Sequence, residues 1–101
     1  MAVQRIYFDK AEISLTFKAG NRYPTVLLTG SQIQRIQFDK IKEFSLFRFV
    51  DSEKITITNS KTGEPIVYTK KKEKAFYDEY KQGLKEFAKT NNVTLQDNTE
   101  N

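Results

Sequence analysis

The sequence predicts an α+β domain that is mainly β, and three observations lead to this prediction. The chain has 101 residues, the usual size of one domain with one core. Apolar residues recur with period two over the first two-thirds, as in half-buried strands. After residue 70 they recur every three to four residues, as on one face of a helix. We expect a partly open barrel or two packed antiparallel sheets, capped by one C-terminal amphipathic helix.

Seven short strands follow from the period-two pattern and the turn residues between its segments. Ile13, Leu15 and Phe17 alternate most cleanly with polar neighbours, so one face of their strand is expected to be buried. The pair Gly20-Asn21 tolerates positive φ and predicts a hairpin connection. The predicted strands are 3–8, 12–18, 25–29, 33–38, 42–50, 54–59 and 66–69.

The segment 42–50 is rich in aromatic residues and does not fit a simple alternation. Phe47 and Phe49 alternate with Leu46 and Arg48, which predicts a strand that buries part of both faces or carries a bulge. Asp39-Lys40 is expected to end the preceding strand, and Asp51-Ser52-Glu53 is expected to turn the chain into the next one.

A helix of about five turns is predicted after the strands. Its apolar face consists of Phe76, Tyr80, Leu84 and Phe87. Thr69 is the expected N-cap, and Gly83 either permits close packing or is simply tolerated. We expect one domain over residues 1–90 and a polar, flexible tail over residues 91–101.

Catalytic side chains are scarce in this composition. The chain has no His and no Cys, which excludes imidazole and thiolate chemistry and leaves only carboxylates as metal ligands. The pairs Asp51 with Glu53 and Asp78 with Glu79 are explained more simply as residues of a turn and of a solvated helix. We therefore expect a protein that is not an enzyme and that has no cofactor.

Location is predicted from what the sequence lacks. It contains no Cys, no apolar run of signal-peptide length near its first residue, and no apolar stretch of about 20 residues. These features predict a cytoplasmic protein without a transmembrane segment.

A basic cluster is the most suggestive feature, with a net charge of +4 on the whole chain. The candidate residues for binding an anion or a partner are Lys70, Lys71, Lys72 and Lys74. Positive charge in the first turn of a helix opposes the helix dipole, so an anion bound there would be stabilising. A solvated, solubilising start to the helix explains the same charges.

The order of these elements is similar to that of a known superfold. The segments that carry the similarity are Ile33 to Phe38 leading into Phe44 to Phe47, then Lys54 to Thr58, Ile66 to Tyr68, and the helix from Phe76 to Tyr80. Seven strands followed by one helix resemble the pleckstrin-homology-like superfold, especially its small bacterial versions, over residues 3–90. The resemblance implies a module that binds phosphoinositides, peptides or proteins. The first hairpin and second strand offer only Lys10 and Lys18 where lipid-binding members have a basic pattern, which does not favour inositol-phosphate recognition.

We therefore expect a binding or adaptor module that recognises a protein or peptide through loops or a sheet edge, with β-augmentation as one mode. The alternative is an electrostatic binder of nucleic acid or of an anionic membrane surface, and a small phage-encoded inhibitor fits the same features. A homo-oligomer joined by strand edges is a third hypothesis. Tyr7, Tyr23 and Tyr77 are the candidates for exposed stacking on bases, whereas the Phe residues are expected in the core.

Overall fold

The structure, a computed structural model, describes residues 3–99 and is mainly β, as expected. Within these residues the chain forms seven strands, one α-helix and a short 3₁₀ turn at Gly30–Gln32. The elements are β1 (Ile6–Phe8), β2 (Glu12–Thr16), β3 (Thr25–Thr29), β4 (Ile33–Ser45), β5 (Arg48–Asn59), β6 (Ile66–Thr69), α1 (Tyr77–Asn91) and β7 (Leu95–Asp97). They build two sheets, ordered β1-β2-β3 and β6-β5-β4-β7, and the described residues form no closed barrel.

The core lies between the two sheets and α1. Alternate residues of β2, β4 and β5 are buried, which confirms the period-two interpretation of these segments. The helix contributes Tyr77, Tyr80, Leu84 and Phe87 to the core, whereas Phe76 is only partly buried. A Cβ on Gly83 would lie 2.5 Å from the ring of Phe8, so this glycine permits close packing of α1 on β1.

The β4–β5 hairpin differs most from prediction. Strand β4 runs through Asp39 and Lys40 without a break, and Asp51 to Glu53 lie within β5 instead of forming a turn. Lys40 is opposite Glu53 and Lys42 is opposite Asp51. These polar residues are cross-strand partners on a ribbon that extends beyond the core, so their polarity does not mark turns.

Helix α1 begins at Tyr77, not at Lys70, and Thr69 is not its N-cap. Residues 70–76 form turns, in which Glu73 N–H donates to Thr69 O at 3.0 Å and Phe76 N–H donates to Glu73 O at 2.9 Å. The first helical turn therefore carries Asp78 and Glu79, which suit the helix dipole. Contrary to expectation, the lysines at 70–74 precede the helix and do not occupy its first turn, so they do not oppose the dipole there.

The segment expected to be a flexible tail contributes strand β7, which pairs parallel to β4. Asn92, with φ of 54°, ends α1 in the left-handed conformation and reverses the chain. Asn98 Nδ2 donates to Asp39 Oδ1 at 2.7 Å, and this hydrogen bond lowers the pKa of Asp39. The expected tail therefore covers the outer edge of β4, while its last two residues, 100 and 101, lie outside the described part. Six strands, not seven, precede the helix.

Candidate functional site

The end of the β4–β5 hairpin carries a cluster of large apolar side chains that are exposed. Leu46 and Phe47 form the turn and are 86% and 96% exposed, and the Phe44 and Phe49 side chains beside them are more than half exposed. The rings of Phe44 and Phe49 face each other across the strands, with centroids 5.3 Å apart. We call these four residues the apolar tip.

The backbone of the turn is unusual for its residues. Leu46 and Phe47 have φ of 50° and 66°, and Ser45 pairs with Arg48 on either side of them. Positive φ at both central residues defines a type I′ turn, for which Asn-Gly is the preferred pair. A side chain with a Cβ costs roughly 1–2 kcal/mol in this conformation. Folding alone therefore does not explain why Leu and Phe occupy this turn.

The tip stands at the end of a long two-stranded ribbon, residues 39–54, which we call the arm. No residue of the arm is fully buried. At about 3.3 Å per residue, the seven residues between Phe38 and the turn extend roughly 23 Å. The arm therefore carries the tip well beyond the last core residues of the hairpin, Phe38 and Ile55.

Charged residues lie directly behind the tip. Arg48 adjoins the turn, and Lys42 Nζ forms an ion pair with Asp51 Oδ1 at 2.5 Å, two residues along the strands from Phe44 and Phe49. The hydrogen bond and charge of Lys42 lower the pKa of Asp51. The exposed end of the arm thus has an apolar apex followed by a layer of charge.

The structure does not gather the four candidate lysines into one patch. Lys71 Nζ donates to Phe44 O at 2.8 Å and lies beside the tip. Lys70 Nζ is 5.9 Å from the ring centroid of Tyr77, whereas Lys72 lines a separate cleft and Lys74 is exposed. Of the four, Lys71 is therefore the one that a contact places at the tip.

The separate cleft, of about 1130 Å³, lies between β6 and the loop that joins β2 to β3. We call it the β6 cleft. On one wall, Arg5 lies 4.9 Å from the Tyr23 ring and 3.5 Å from Glu73 Oε2. Burial raises the pKa of Glu73, and the charge of Arg5 opposes that shift. Tyr68 Oη donates to Thr16 O at 2.8 Å and ties β6 to β2 beside the cleft.

The aromatic predictions were partly wrong. Phe44, Phe47 and Phe49 are exposed instead of packed in the core, and Tyr77 is buried. Tyr7 and Tyr23 are about half exposed, as expected. The sequence signal that could have revealed the tip is the near-symmetric run of Phe44, Leu46, Phe47 and Phe49, with Lys42 and Asp51 on either side.

Residues 3–99 contain no group of three or more Asp or Glu side chains placed to hold a metal ion. In the same part of the chain, no helix has the length and hydropathy needed to cross a membrane. Comparisons with protein-family models, with curated proteins and with solved structures each found no match.

Proposed function

We propose that this protein is a non-enzymatic binding module that attaches to anionic membrane surfaces by inserting its apolar tip. The observation that carries the proposal is the pair Leu46 and Phe47, two large apolar side chains that are almost fully exposed in a strained turn. Strained residues persist where the surrounding structure holds them in place, and they concentrate at functional sites.

Insertion of the tip would remove its apolar surface from water. Complete burial of a Leu or Phe side chain contributes about 1.5–3 kcal/mol. Four such residues at one apex can supply a useful binding free energy even when each is only partly inserted, because each begins largely exposed. Scattered exposed apolar residues are normal on a protein surface, but four contiguous ones at the end of an arm are a typical interaction site.

The position of the charges favours a membrane as the partner. Interfacial segments bury their apolar part about 5–10 Å deep, with Lys and Arg at the level of the headgroups. Arg48 adjoins the turn, Lys71 contacts the Phe44 carbonyl, and Lys42 is about 7 Å behind the Phe44 and Phe49 pair. A cation near an anionic leaflet contributes about 1 kcal/mol, and the cytoplasmic leaflet is the anionic one. We therefore place the module at the cytoplasmic face of a membrane.

The shape of the tip argues against nucleic acid. Proteins that bind single strands use a basic groove that follows the backbone, with aromatic rings on which successive bases stack. The tip is a convex apex with an aliphatic side chain, Leu46, beside Phe47 in its turn. A leaflet of fluid lipid can surround such an apex without a matching cavity.

Sedimentation with lipid vesicles tests the proposal. We expect the protein to sediment with vesicles of phosphatidylcholine and phosphatidylserine, and the double change Leu46→Asn with Phe47→Gly to abolish this. The matched control is Leu27→Thr, which removes an exposed apolar side chain from β3 and should bind like the unchanged protein. Equal binding by the tip variant would overturn the proposal.

The charged layer is tested in the same assay. Arg48→Glu with Lys71→Glu reverses two charges at the tip, and we expect binding to fall at least tenfold. Lys89→Glu reverses one exposed charge in the last turn of α1, which packs near the opposite end of β4, and should have little effect. Vesicle binding that depends neither on the lipid charge nor on the salt concentration would contradict a role for the charged layer.

We further propose that the fold is related to the pleckstrin-homology-like superfold. Support comes from two antiparallel-stranded layers with one amphipathic helix packed against them. The strand after the helix and its parallel pairing with β4 are departures from the expected order.

A further inference from the structure

Strand β6 is an edge strand, and one hydrogen bond shows which of its backbone groups point outward. Lys70 N–H donates to Glu53 O at 2.9 Å, and Lys70 lies opposite Glu53 in the register of β5 and β6. In an antiparallel pair, hydrogen-bonded and non-hydrogen-bonded positions alternate. Tyr68 therefore points its N–H and C=O toward β5, and Val67 and Thr69 point theirs away from it.

The outward groups are left without a strand partner. Within residues 3–99, β6 pairs only with β5. The Thr69 carbonyl accepts from Glu73 N–H, which leaves the N–H and C=O of Val67 and the N–H of Thr69 for another chain. Pro65 occupies the next outward position, where its missing N–H breaks no bond to β5. The free edge is thus about three residues long.

The β6 cleft gives an added strand a place to lie. Val67 lines it with half of its surface exposed, and Tyr23 and Pro24 form part of the facing wall. An extended chain on β6 would therefore have backbone partners on one side and an apolar surface on the other. Exposed edges of this kind are the usual acceptors in β-augmentation.

Charge distinguishes the two ends of the β6 cleft. Glu64 lines it just before β6 and Lys72 lines it just after, while Lys18 lines it from the loop between β2 and β3. Arg5 and Glu73, which also line it, neutralise each other as an ion pair. A complementary chain would carry an acidic side chain near Lys72 and a basic one near Glu64.

We propose that the outer edge of β6 binds an extended peptide segment by strand addition. The segment has an apolar residue beside Val67 and Tyr23, an acidic residue at the Lys72 end and a basic residue at the Glu64 end. This site does not depend on the apolar tip, so the module could hold a membrane and a protein segment at once.

Amide hydrogen exchange on the whole protein tests this site. The probe is a synthetic eight-residue peptide of alternating Val and Thr with Asp at one end and Lys at the other. We expect exchange at Val67 and Thr69 to slow at least tenfold when the peptide is added. Exchange at Tyr68, already bonded to β5, should not change. A peptide with Asp at both ends should bind more weakly.

Proline substitution supplies the matched variants. Val67→Pro removes an outward N–H without breaking the β5 ladder, so we expect peptide affinity to fall at least tenfold while Tyr68 N–H stays protected. Val67→Thr keeps the N–H and should bind within about threefold of the unchanged protein. Leu27→Pro places the same change on the β3 edge and should leave the affinity unchanged.

Three results would overturn the proposal. The first is unchanged exchange at Val67 and Thr69 with saturating peptide, a measurement that needs no variant to fold. The second is full peptide affinity in a folded Val67→Pro variant. The third is protection of the same amides that rises with protein concentration alone, because that would make a second copy of the chain the occupant of the edge.

Discussion

The two ends of the β4–β5 hairpin contain similar residues in opposite surroundings. At the base, Phe38 and Ile55 face each other and are fully buried beneath α1 and the other sheet. At the tip, Phe44 and Phe49 face each other in the same way and are mostly exposed. The pairing is the same, so the difference comes from what lies over each end. The base is apolar because its side chains form part of the core. Burial in the core does not explain why the tip is apolar.

The largest expected difference between the two ends is in how much a substitution to Ala changes the free energy of unfolding. Phe38→Ala should lower the free energy of unfolding by about 3–5 kcal/mol, because it opens a cavity in a packed core. Phe49→Ala should change it by only about 0.5 kcal/mol, since little surface is buried there. Urea denaturation of both variants measures this. A cost for Phe49→Ala close to that of Phe38→Ala would mean that the tip belongs to the core.

The turn should show the next largest effect, with the opposite sign. Leu46→Asn with Phe47→Gly replaces two residues that are strained at positive φ by the pair that type I′ turns prefer. We expect the protein to become more stable by about 1–2 kcal/mol. Thermal unfolding measures the change. A loss of stability would show that the native side chains support the turn, which would remove the main reason for assigning them a function.

The smallest expected effect concerns two ion pairs of the arm, one at its base and one nearer the tip. Lys81 Nζ contacts Glu53 Oε1 at 3.0 Å, and both side chains are mostly buried, so Glu53→Gln should cost about 1 kcal/mol. The Lys42 and Asp51 pair is exposed, and Asp51→Asn should leave stability unchanged within error. The same denaturation measurements compare the two. Equal costs would mean that the Lys42 and Asp51 pair is as desolvated as the Lys81 and Glu53 pair at the base of the arm.

Sequence periodicity predicted the fold well where one face of a strand is covered. Ile13 and Leu15 are buried as the alternation indicated, and Tyr80, Leu84 and Phe87 form the helical face expected of them. Alternation of apolar and polar residues fails on the arm, because the face that carries Ile41, Glu43 and Ser45 is only half-buried and the opposite face is exposed, so neither face requires apolar residues. That is why Asp39 and Asp51 were interpreted as ends of strands.

The candidate site was harder to predict than the fold, because it depends on exposure. Aromatic residues in a β-rich sequence usually pack in the core, and nothing local distinguishes Phe47 from Phe38. The position of the turn decides the outcome, and neither Leu46 nor Phe47 is a typical turn residue. The Lys70 to Lys74 cluster was visible in the sequence, but its division between the tip and the β6 cleft follows from where α1 begins.

Insertion of the tip can be measured directly because the chain contains no Trp. In a Phe47→Trp variant, we predict that the emission of the single Trp shifts to shorter wavelength with phosphatidylserine-containing vesicles, but not with phosphatidylcholine alone. Tyr7→Trp, on β1, serves as the control and should not shift. Binding of the Phe47→Trp protein to anionic vesicles with its Trp still emitting as in water would contradict insertion of the apolar tip.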